Sequence, residues 1–346
     1  MSNRGLGGLI LCLWLCFDCV GASATPLLAP APDTGDERLD LHIHDPSRII
    51  ASSGYEIVAV TGKAQEDGYA CGLELWRRTA DPLGTWRMFN CLLTDKPAWV
   101  KGALPSNDGA YWAPDFVDHD RIIYSVADDF ETGEKSCLGL VLQTETGLWR
   151  DRGRPLVCLT TGEDSPEASV IDPSIFTAPD GPSYLVTGGG VIRIAEIDRD
   201  AEDLALPEDL EGPGWTDIAI GPIEDRDERG WVEAAHIVAR DGYFYLFVNW
   251  GACCRGAGST YEIRVGRANT PHGPYVDSAG TPLMQGGGAL LGGGGGWLRG
   301  PGHSSVRRTK AGDVLSFHYY DARRGGLPWI GEVYLDWRAG WPDIRR

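Results

Sequence analysis

The stretch that decides the fold is residues 232–248, which read VEAAHIVARDGYFYLFV. A short apolar run at residues 236–238 is followed by a turn at Asp241-Gly242 and by a second apolar and aromatic run at residues 243–248. Two short apolar runs joined by an Asp-Gly turn are typical of a β-hairpin. The pattern therefore predicts a buried strand pair whose first strand opens at the acidic residue Glu233.

The same arrangement occurs five times in the chain, each time with a short motif before the first apolar run. The motifs are His44-Asp-Pro-Ser47, Trp112-Ala-Pro-Asp115, Ile171-Asp-Pro-Ser174, Val232-Glu-Ala234 and Gly300-Pro-Gly-His303. Their polar residues Asp45, Asp115, Asp172, Glu233 and His303 are spaced by 70, 57, 61 and 70 residues. Long segments with helical periodicity are nearly absent. Five similar all-β units predict a five-bladed β-propeller. The alternative is a β-sandwich whose hairpins resemble one another by accident.

A propeller would bring these polar residues together, because the innermost strand of every blade runs beside the central channel. A polar residue at the start of each inner strand would lie at one mouth of the channel. Grouping several carboxylates in one place costs stability through charge repulsion, so such a group indicates a functional use. Asp-Pro pairs are common in turns, and a single one would carry no such meaning.

The first residues indicate export. A weakly positive start at Arg4 precedes an apolar run at residues 9–20, and Ala22-Ser-Ala24 has the pattern of a cleavage site. We therefore expect a signal peptide at residues 1–24, a flexible N-terminal segment at 25–40, and a single propeller domain at 41–346. A membrane anchor is the alternative, but a run of about 12 residues interrupted by Asp18 is too short to span a bilayer.

The cysteines fit a secreted protein. Six of them follow the predicted cleavage site, and an even number in an exported chain suggests disulfides. Cys71 and Cys91 are 20 residues apart and Cys137 and Cys158 are 21 apart, so each pair predicts a local disulfide. Cys253-Cys254 are adjacent, and either two free thiols or a rare vicinal disulfide would be compatible with the sequence.

Composition excludes some partners. The 346 residues are 42% hydrophobic, which suits a globular protein, and the net charge is −18. Such an acidic chain is a poor ligand for nucleic acid or for an anionic membrane, because phosphate would be repelled. The 13 tryptophans are many for this length, and carbohydrate-binding clefts often use tryptophan. The charge suits a neutral or cationic partner, such as a neutral polysaccharide or oligosaccharide, and we expect a monomer.

The five motifs resemble those of glycoside hydrolase family 43, and within it the secreted endo-α-1,5-L-arabinanases. The longest similar run extends from Cys253-Cys-Arg-Gly256 through Ser259-Thr-Tyr261 and Gly273-Pro-Tyr275 to Gly300-Pro-Gly-His303. The resemblance covers about residues 42–343. It implies an inverting glycosidase that cleaves arabinan, the arabinose polymer of pectin side chains, outside the cell.

The resemblance also implies roles for the polar residues. Asp45 would be the general base that activates water, Glu233 the general acid, and Asp172 the modulator that raises the pKa of Glu233. His303 would help to hold a calcium ion through water. Asp115 has no proton-transfer role in this scheme and is expected to be structural.

Sugar-binding residues are expected on the walls around these carboxyls. Trp112 and Trp250 could stack on sugar rings and Arg255 could hydrogen-bond near the site, although packing explains each tryptophan as well. The chain departs from the arabinanase pattern at Val186-Thr-Gly-Gly-Gly190, where an aromatic stretch is usual, and at Ser304, where asparagine is usual.

Two other functions remain open from the sequence. An exo-acting α-L-arabinofuranosidase or β-xylosidase of the same fold would need a closed pocket, which the sequence does not reveal. A non-catalytic carbohydrate-binding propeller would have lost a carboxylate, whereas all three are present. Gly-rich residues 286–296 lack the Gly-Lys-Ser/Thr ending of a nucleotide loop, and the Gly-x-Ser-x-Gly motif of serine esterases is absent.

Overall fold

Five antiparallel sheets follow one another along the chain, one per repeat, and the predicted five-bladed β-propeller is confirmed. The computed structural model describes residues 43–62, 71–80, 84–128, 135–161, 168–201, 203–222 and 231–345. The predicted signal peptide (1–24) and N-terminal segment (25–40) lie outside these residues. Among the described helices, none has the length and apolar character needed to span a membrane.

Each blade is a meander in which sequence neighbours pair. Blade 1 contains β1 (Ile50–Ser52), β2 (Tyr55–Thr61), β3 (Leu73–Thr79) and β4 (Arg87–Cys91). Blade 2 contains β5 (Trp112–Phe116), β6 (Arg121–Ala127), β7 (Lys135–Gln143), β8 (Trp149–Asp151) and β9 (Val157–Thr160), the last paired with β7. Blade 3 contains β10 (Ser174–Thr177), β11 (Ser183–Thr187), β12 (Val191–Ile197) and β13 (Trp215–Ile220).

The last two blades hold the longest strands. Blade 4 contains β14 (Val232–Arg240), β15 (Tyr243–Trp250), β16 (Glu262–Ala268) and β17 (Ala289–Gly293). Blade 5 contains β18 (Leu298–Thr309), β19 (Gly312–Asp321), β20 (Leu327–Arg338) and β21 (Trp341–Ile344). One short helix, α1 (Ala98–Ala103), joins blades 1 and 2, and 3₁₀ turns lie at Gly256–Gly258, Leu283–Gln285 and Ala322–Arg324.

The core lies between the blades. Four clusters of buried side chains fill the spaces where neighbouring sheets face each other. One of them joins Val58 of blade 1, Phe247 of blade 4 and Phe317 of blade 5, so the ring is closed by apolar packing. Burying one such side chain contributes roughly 1.5–3 kcal/mol.

Disulfides staple the outer parts of two blades. Cys71–Cys91 and Cys137–Cys158 are bonded, with Cα atoms 5.7 Å and 4.0 Å apart, so both predicted pairings are confirmed. The adjacent Cys253 and Cys254 also form a disulfide, which is the vicinal alternative.

In every blade, one non-glycine residue at the mouth of the channel has a left-handed backbone conformation. Asp45, Ala113, Asp172, Ala234 and His303 have φ between 46° and 55°. They are spaced by 68, 59, 62 and 69 residues, so they are the structurally equivalent positions of the repeat. Non-glycine residues rarely adopt this conformation. The alignment expected from the sequence is therefore wrong in two blades: Asp115 lies two residues after the equivalent position, and Glu233 lies one before it.

Bulges lie beside the motifs in three blades. The register between the first and second strands shifts between Trp112 and Asp115 in blade 2, between Glu233 and His236 in blade 4, and on both sides of Gly302 in blade 5. A bulge adds a residue on one strand and redirects the side chains around it. His303 keeps the equivalent position in spite of its bulges, so a bulge alone does not account for the offsets of Asp115 and Glu233.

Candidate active site

In four of the five blades, the second strand fixes the left-handed residue of the next blade. The backbone N–H of Ala113 donates to Thr61 Oγ1 (3.0 Å), that of Asp172 to Ser125 Oγ (2.9 Å), and that of His303 to Asn249 Oδ1 (2.9 Å). Across the closure of the ring, the backbone N–H of Asp45 donates to His318 Nδ1 (3.1 Å). His318 therefore occupies the position that Thr61, Ser125 and Asn249 occupy elsewhere.

Blade 3 breaks this pattern. Val186-Thr187-Gly188 matches Val60-Thr61-Gly62 of blade 1, but the hydroxyl of Thr187 donates to the carbonyl of Ile171 (2.6 Å). The N–H of Ala234 goes instead to Asp172 Oδ2 at 3.0 Å. Asp172 is thereby tied to the residue directly after Glu233. The sequence departs from the family pattern at residues 186–190. In the structure this departure coincides with a contact that orients Asp172, the predicted modulator, toward Glu233, the predicted acid.

Asp45 lies in a cage of hydrogen-bond donors and imidazoles. Thr61 Oγ1 donates to Asp45 Oδ2 at 2.8 Å, and His44 Nδ1 lies 2.7 Å from the same oxygen. His303 Nδ1 and His318 Nδ1 lie 3.5 Å and 3.4 Å from Asp45 Oδ1. Burial opposes ionisation, but the charge of His44 and the imidazole contacts outweigh it and hold the pKa of Asp45 well below its usual range.

A chain of hydrogen bonds orients His44. The backbone N–H of Cys254, in the vicinal disulfide, donates to the hydroxyl of Tyr320 (2.8 Å), whose oxygen lies 2.6 Å from His44 Nε2. On the other side of the ring, His44 Nδ1 faces Asp45 Oδ2. The His44 ring stacks on that of His318, with centroids 4.2 Å apart. Residues from blades 4 and 5 thus orient the contact to Asp45, the predicted base.

Asp172 and Glu233 have the opposite electrostatic environment. Both are buried. Burial, followed by the charges of Glu233 and Asp45, raises the pKa of Asp172 well above its usual range. Burial, opposed by a hydrogen bond from Trp231 and reinforced by the charge of Asp45, raises the pKa of Glu233 to about 7. Because ionisation of one of these two carboxyls disfavours ionisation of the other, the pair keeps a proton near neutral pH.

Trp231 is a further site residue. Its Nε1 donates to Glu233 Oε2 at 2.5 Å, a contact that favours the ionised form of the acid. The sequence contained a signal for this residue, since Trp231 directly precedes the Val-Glu-Ala motif. Nothing in the motif itself shows that the indole points back at the carboxyl.

The predicted sugar-binding residues have different surroundings. Trp112 is half-buried at the start of β5, beside the channel mouth. Trp250 is half-buried against the core cluster of blades 3 and 4, and the guanidinium of Arg264 covers its ring at 4.5 Å. Arg255 is exposed next to the vicinal disulfide, with its N–H held by Ser259 Oγ at 3.0 Å. Trp112 and Arg255 are thus better placed than Trp250 to meet a ligand.

His303, the predicted calcium ligand, is partly buried beside Asp45, and burial lowers its pKa. The described residues that group as possible metal ligands are His44, Asp45 and His318. His318 is fully buried, and its Nε2 has no hydrogen-bond partner among the described residues. Because Nδ1 of His318 accepts the backbone N–H of Asp45, the neutral ring carries its proton on Nε2, which therefore cannot bind a cation. His303, whose Nδ1 lies 3.5 Å from Asp45 Oδ1, stays the predicted ligand.

Known proteins resemble this chain in sequence and in structure. The extracellular endo-α-(1→5)-L-arabinanase 1 of Bacillus subtilis is 29% identical over 309 residues, which cover 87% of each chain. The extracellular exo-α-(1→5)-L-arabinofuranosidase of Cellvibrio japonicus is 28% identical over 269 residues, covering 75% of this chain and 77% of that protein. The structure of a GH43 endo-arabinanase from Bacillus licheniformis superposes with a TM-score of 0.73 at 30% identity, covering 88% of this chain and 98% of the other. Residues 39–342 match the profile of glycosyl hydrolases family 43, and the protein therefore belongs to that family.

Proposed function

We propose that this protein hydrolyses α-1,5-L-arabinofuranosidic linkages within arabinan, with inversion at the anomeric carbon. The observation that carries the proposal is the opposite ionisation of the carboxyls at one channel mouth: Asp45 ionised, and the Asp172–Glu233 pair holding a proton. An inverting glycosidase needs one basic carboxylate and one carboxylic acid. The names of the similar proteins supply the sugar and the linkage.

In this mechanism Glu233 donates its proton to the leaving glycosidic oxygen. Asp45 takes a proton from a water that attacks the anomeric carbon from the opposite side. Asp172 is coupled electrostatically to Glu233, whose charge raises the pKa of Asp172, and through Ala234 it fixes the backbone beside the acid. Asp45 and Glu233 are expected to lie about 6.5–9.5 Å apart, the separation that leaves room for the water.

Product sizes test the proposal. The purified protein, incubated with linear α-1,5-arabinan, should release a range of oligosaccharides early, as expected for cleavage within the chain. Arabinose alone from the first minutes would favour an exo-acting enzyme. Binding of arabinan without any hydrolysis would contradict the proposal and favour the carbohydrate-binding alternative. Asp45→Asn is the matched inactive control for contaminating activities.

Location is part of the same proposal. The two similar curated proteins are named extracellular, and three disulfides suit an oxidising compartment. The predicted signal peptide at residues 1–24 would direct export, and N-terminal sequencing of the protein secreted by its own host should begin near Thr25.

The calcium prediction stays with His303. His303 would help to hold the ion, with waters as the remaining ligands, because calcium prefers oxygen ligands. When bound, the ion would supply positive charge that favours the ionised form of the base. Metal analysis of the purified protein should show one tightly held calcium. We expect that dialysis against a chelator lowers Tm and that added calcium restores it.

His303→Ala should abolish the bound metal and the effect of the chelator on Tm, whereas His119→Ala, at the exposed β5–β6 turn, should keep both. The proposal fails if the wild-type protein carries no stoichiometric metal and its Tm does not respond to the chelator. It also fails if His303→Ala still holds the ion.

In the neutral range, a plot of kcat/KM against pH should have a single steep limb, which descends toward basic pH. Glu233 must be protonated to act as the acid, and its pKa is about 7, so kcat/KM is expected to fall as pH rises above about 7. Asp45 has a depressed pKa and stays ionised through this range. Trp231→Phe removes a hydrogen bond that favours ionised Glu233, so its basic limb should move to higher pH.

Trp215→Phe is the control for that variant, because the Trp215 indole donates to the carbonyl of Pro207 in the outer part of blade 3. Its pH profile should match that of the wild type. A basic limb that moved to lower pH in Trp231→Phe would show that the indole does not act on the acid as described.

A further inference from the structure

Asp115 joins three neighbouring blades through one buried carboxylate. It lies on β5 of blade 2 and is 4% exposed. Its Oδ1 accepts the backbone N–H of Arg48 from blade 1 at 3.2 Å, and its Oδ2 accepts the backbone N–H of Ile175 from blade 3 at 2.9 Å. A single side chain therefore ties the inner edges of blades 1, 2 and 3.

Arg48 repeats the same connection with its guanidinium. Nη1 donates to Asp115 Oδ2 and to the carbonyl of Ile175, each at 2.9 Å. Nη2 donates to the carbonyls of Phe116 and, at 3.4 Å, Val117. The planar fork of arginine can serve several acceptors at fixed angles, which the point charge of lysine cannot.

The two backbone groups held by Asp115 have equivalent positions relative to the catalytic carboxyls. Arg48 follows Asp45 by three residues, and Ile175 follows Asp172 by three residues. Each is connected through Pro-Ser, and proline fixes its own φ. A displacement of Arg48 or Ile175 is therefore transmitted to Asp45 or Asp172 by a short and stiff segment.

We propose that Arg48 and Asp115 are positioning residues that set the placement of the base Asp45 relative to the modulator Asp172. The pair acts through the two Asp-Pro-Ser segments. This inference rests on the proposed roles of Asp45 and Asp172. The Asp115 carboxylate is buried and the Arg48 side chain is partly buried. An ion pair removed from water contributes little net stability compared with apolar residues of similar size, so its use here fits a demand for fixed geometry.

Arg48→Met tests the inference. Measured well below its Tm, the variant should lose about 10- to 100-fold in kcat with KM within about 2-fold of wild type, because small misplacements of catalytic groups are costly. The loss should be of the same size on linear arabinan and on a nitrophenyl α-1,5-arabinotrioside, since both substrates need the base.

Arg121→Met is the matched control. Arg121 also pairs with an aspartate, Asp118, and also bridges to blade 3, through the carbonyls of Arg199 and Ala201. It does so at the β5–β6 turn, the opposite end of β5 from the channel mouth. Its variant should lose stability but keep kcat. A merely structural role for Arg48 would give the same result as this control.

A folded Arg48→Met variant with a normal kcat and only a lowered Tm would overturn the inference. A loss of kcat on arabinan alone would overturn it as well, because such a loss would place the defect in the acid. If Arg48→Met does not fold, Arg48→Lys serves instead, and wild-type kcat in that variant would overturn the inference equally. Hydrolysis by the wild-type protein is measured first. Inactivity of the wild type on both substrates would contradict the proposed function. If the wild type is active, the results for the variants test only the inference about Arg48 and Asp115.

Discussion

Asp45→Asn is expected to abolish turnover, by about 10³-fold or more in kcat/KM, on both arabinan and the nitrophenyl arabinotrioside. An amide cannot accept the proton of the attacking water, and a good leaving group does not remove that need. The cage of Thr61, His44, His303 and His318 would still hold the side chain in place. Initial rates on both substrates measure the effect.

Asp118→Asn provides the comparison, because Asp118 pairs with Arg121 at the far turn of blade 2. It should retain wild-type rates. Activity of Asp45→Asn within 10-fold of wild type on either substrate would remove Asp45 from the role of base.

Glu233→Gln is expected to depend on the leaving group. Arabinan leaves as a basic alkoxide unless it is protonated, so the variant should lose about 10²-fold or more in kcat on arabinan. Nitrophenolate departs without a proton, so the loss on the nitrophenyl arabinotrioside should be much smaller. The residual rate on arabinan should also lose its basic limb, because Glu233, whose pKa is about 7, has been replaced.

Glu262→Gln is the matched control, since Glu262 pairs with Arg264 on β16 and takes no part in the site. Equal losses for Asp45→Asn and Glu233→Gln on both substrates would show that the acid and base roles are misassigned, even though the family is known.

The fold was predictable because its cause is local. Each hairpin is visible in the sequence as two apolar runs joined by a turn. Five such hairpins, each preceded by a similar motif, are compatible with few architectures other than a propeller. The equivalence of the polar residues was less predictable. Asp115 lies two residues after the equivalent left-handed position and Glu233 lies one residue before it. Which motif residue adopts the left-handed conformation depends on the local backbone and leaves no clear mark in the spacing.

The environment of the base was not predictable from the motif alone. Asp45 and His318 are 273 residues apart, and they meet only because blade 5 closes the ring against blade 1. His44 and Tyr320 meet for the same reason. Aligning second strands by their repeat position would have found His318, since it stands where Thr61, Ser125 and Asn249 stand.

The vicinal disulfide was left open by the sequence for a physical reason. Adjacent cysteines can bond only in an uncommon backbone conformation, and Cys254 adopts a left-handed φ of 66°. Its N–H is then directed at Tyr320. Composition and spacing report neither the conformation nor the partner.

The central claim is that Asp45 activates a water that attacks opposite the leaving group. Time-resolved proton NMR of the first product formed from an α-1,5-arabino-oligosaccharide tests it most directly. Hydrolysis by this mechanism predicts that the newly formed reducing end appears first as the β-anomer and then equilibrates. First appearance of the α-anomer would mean retention through a covalent intermediate, and would contradict the assignment of Asp45 as a base.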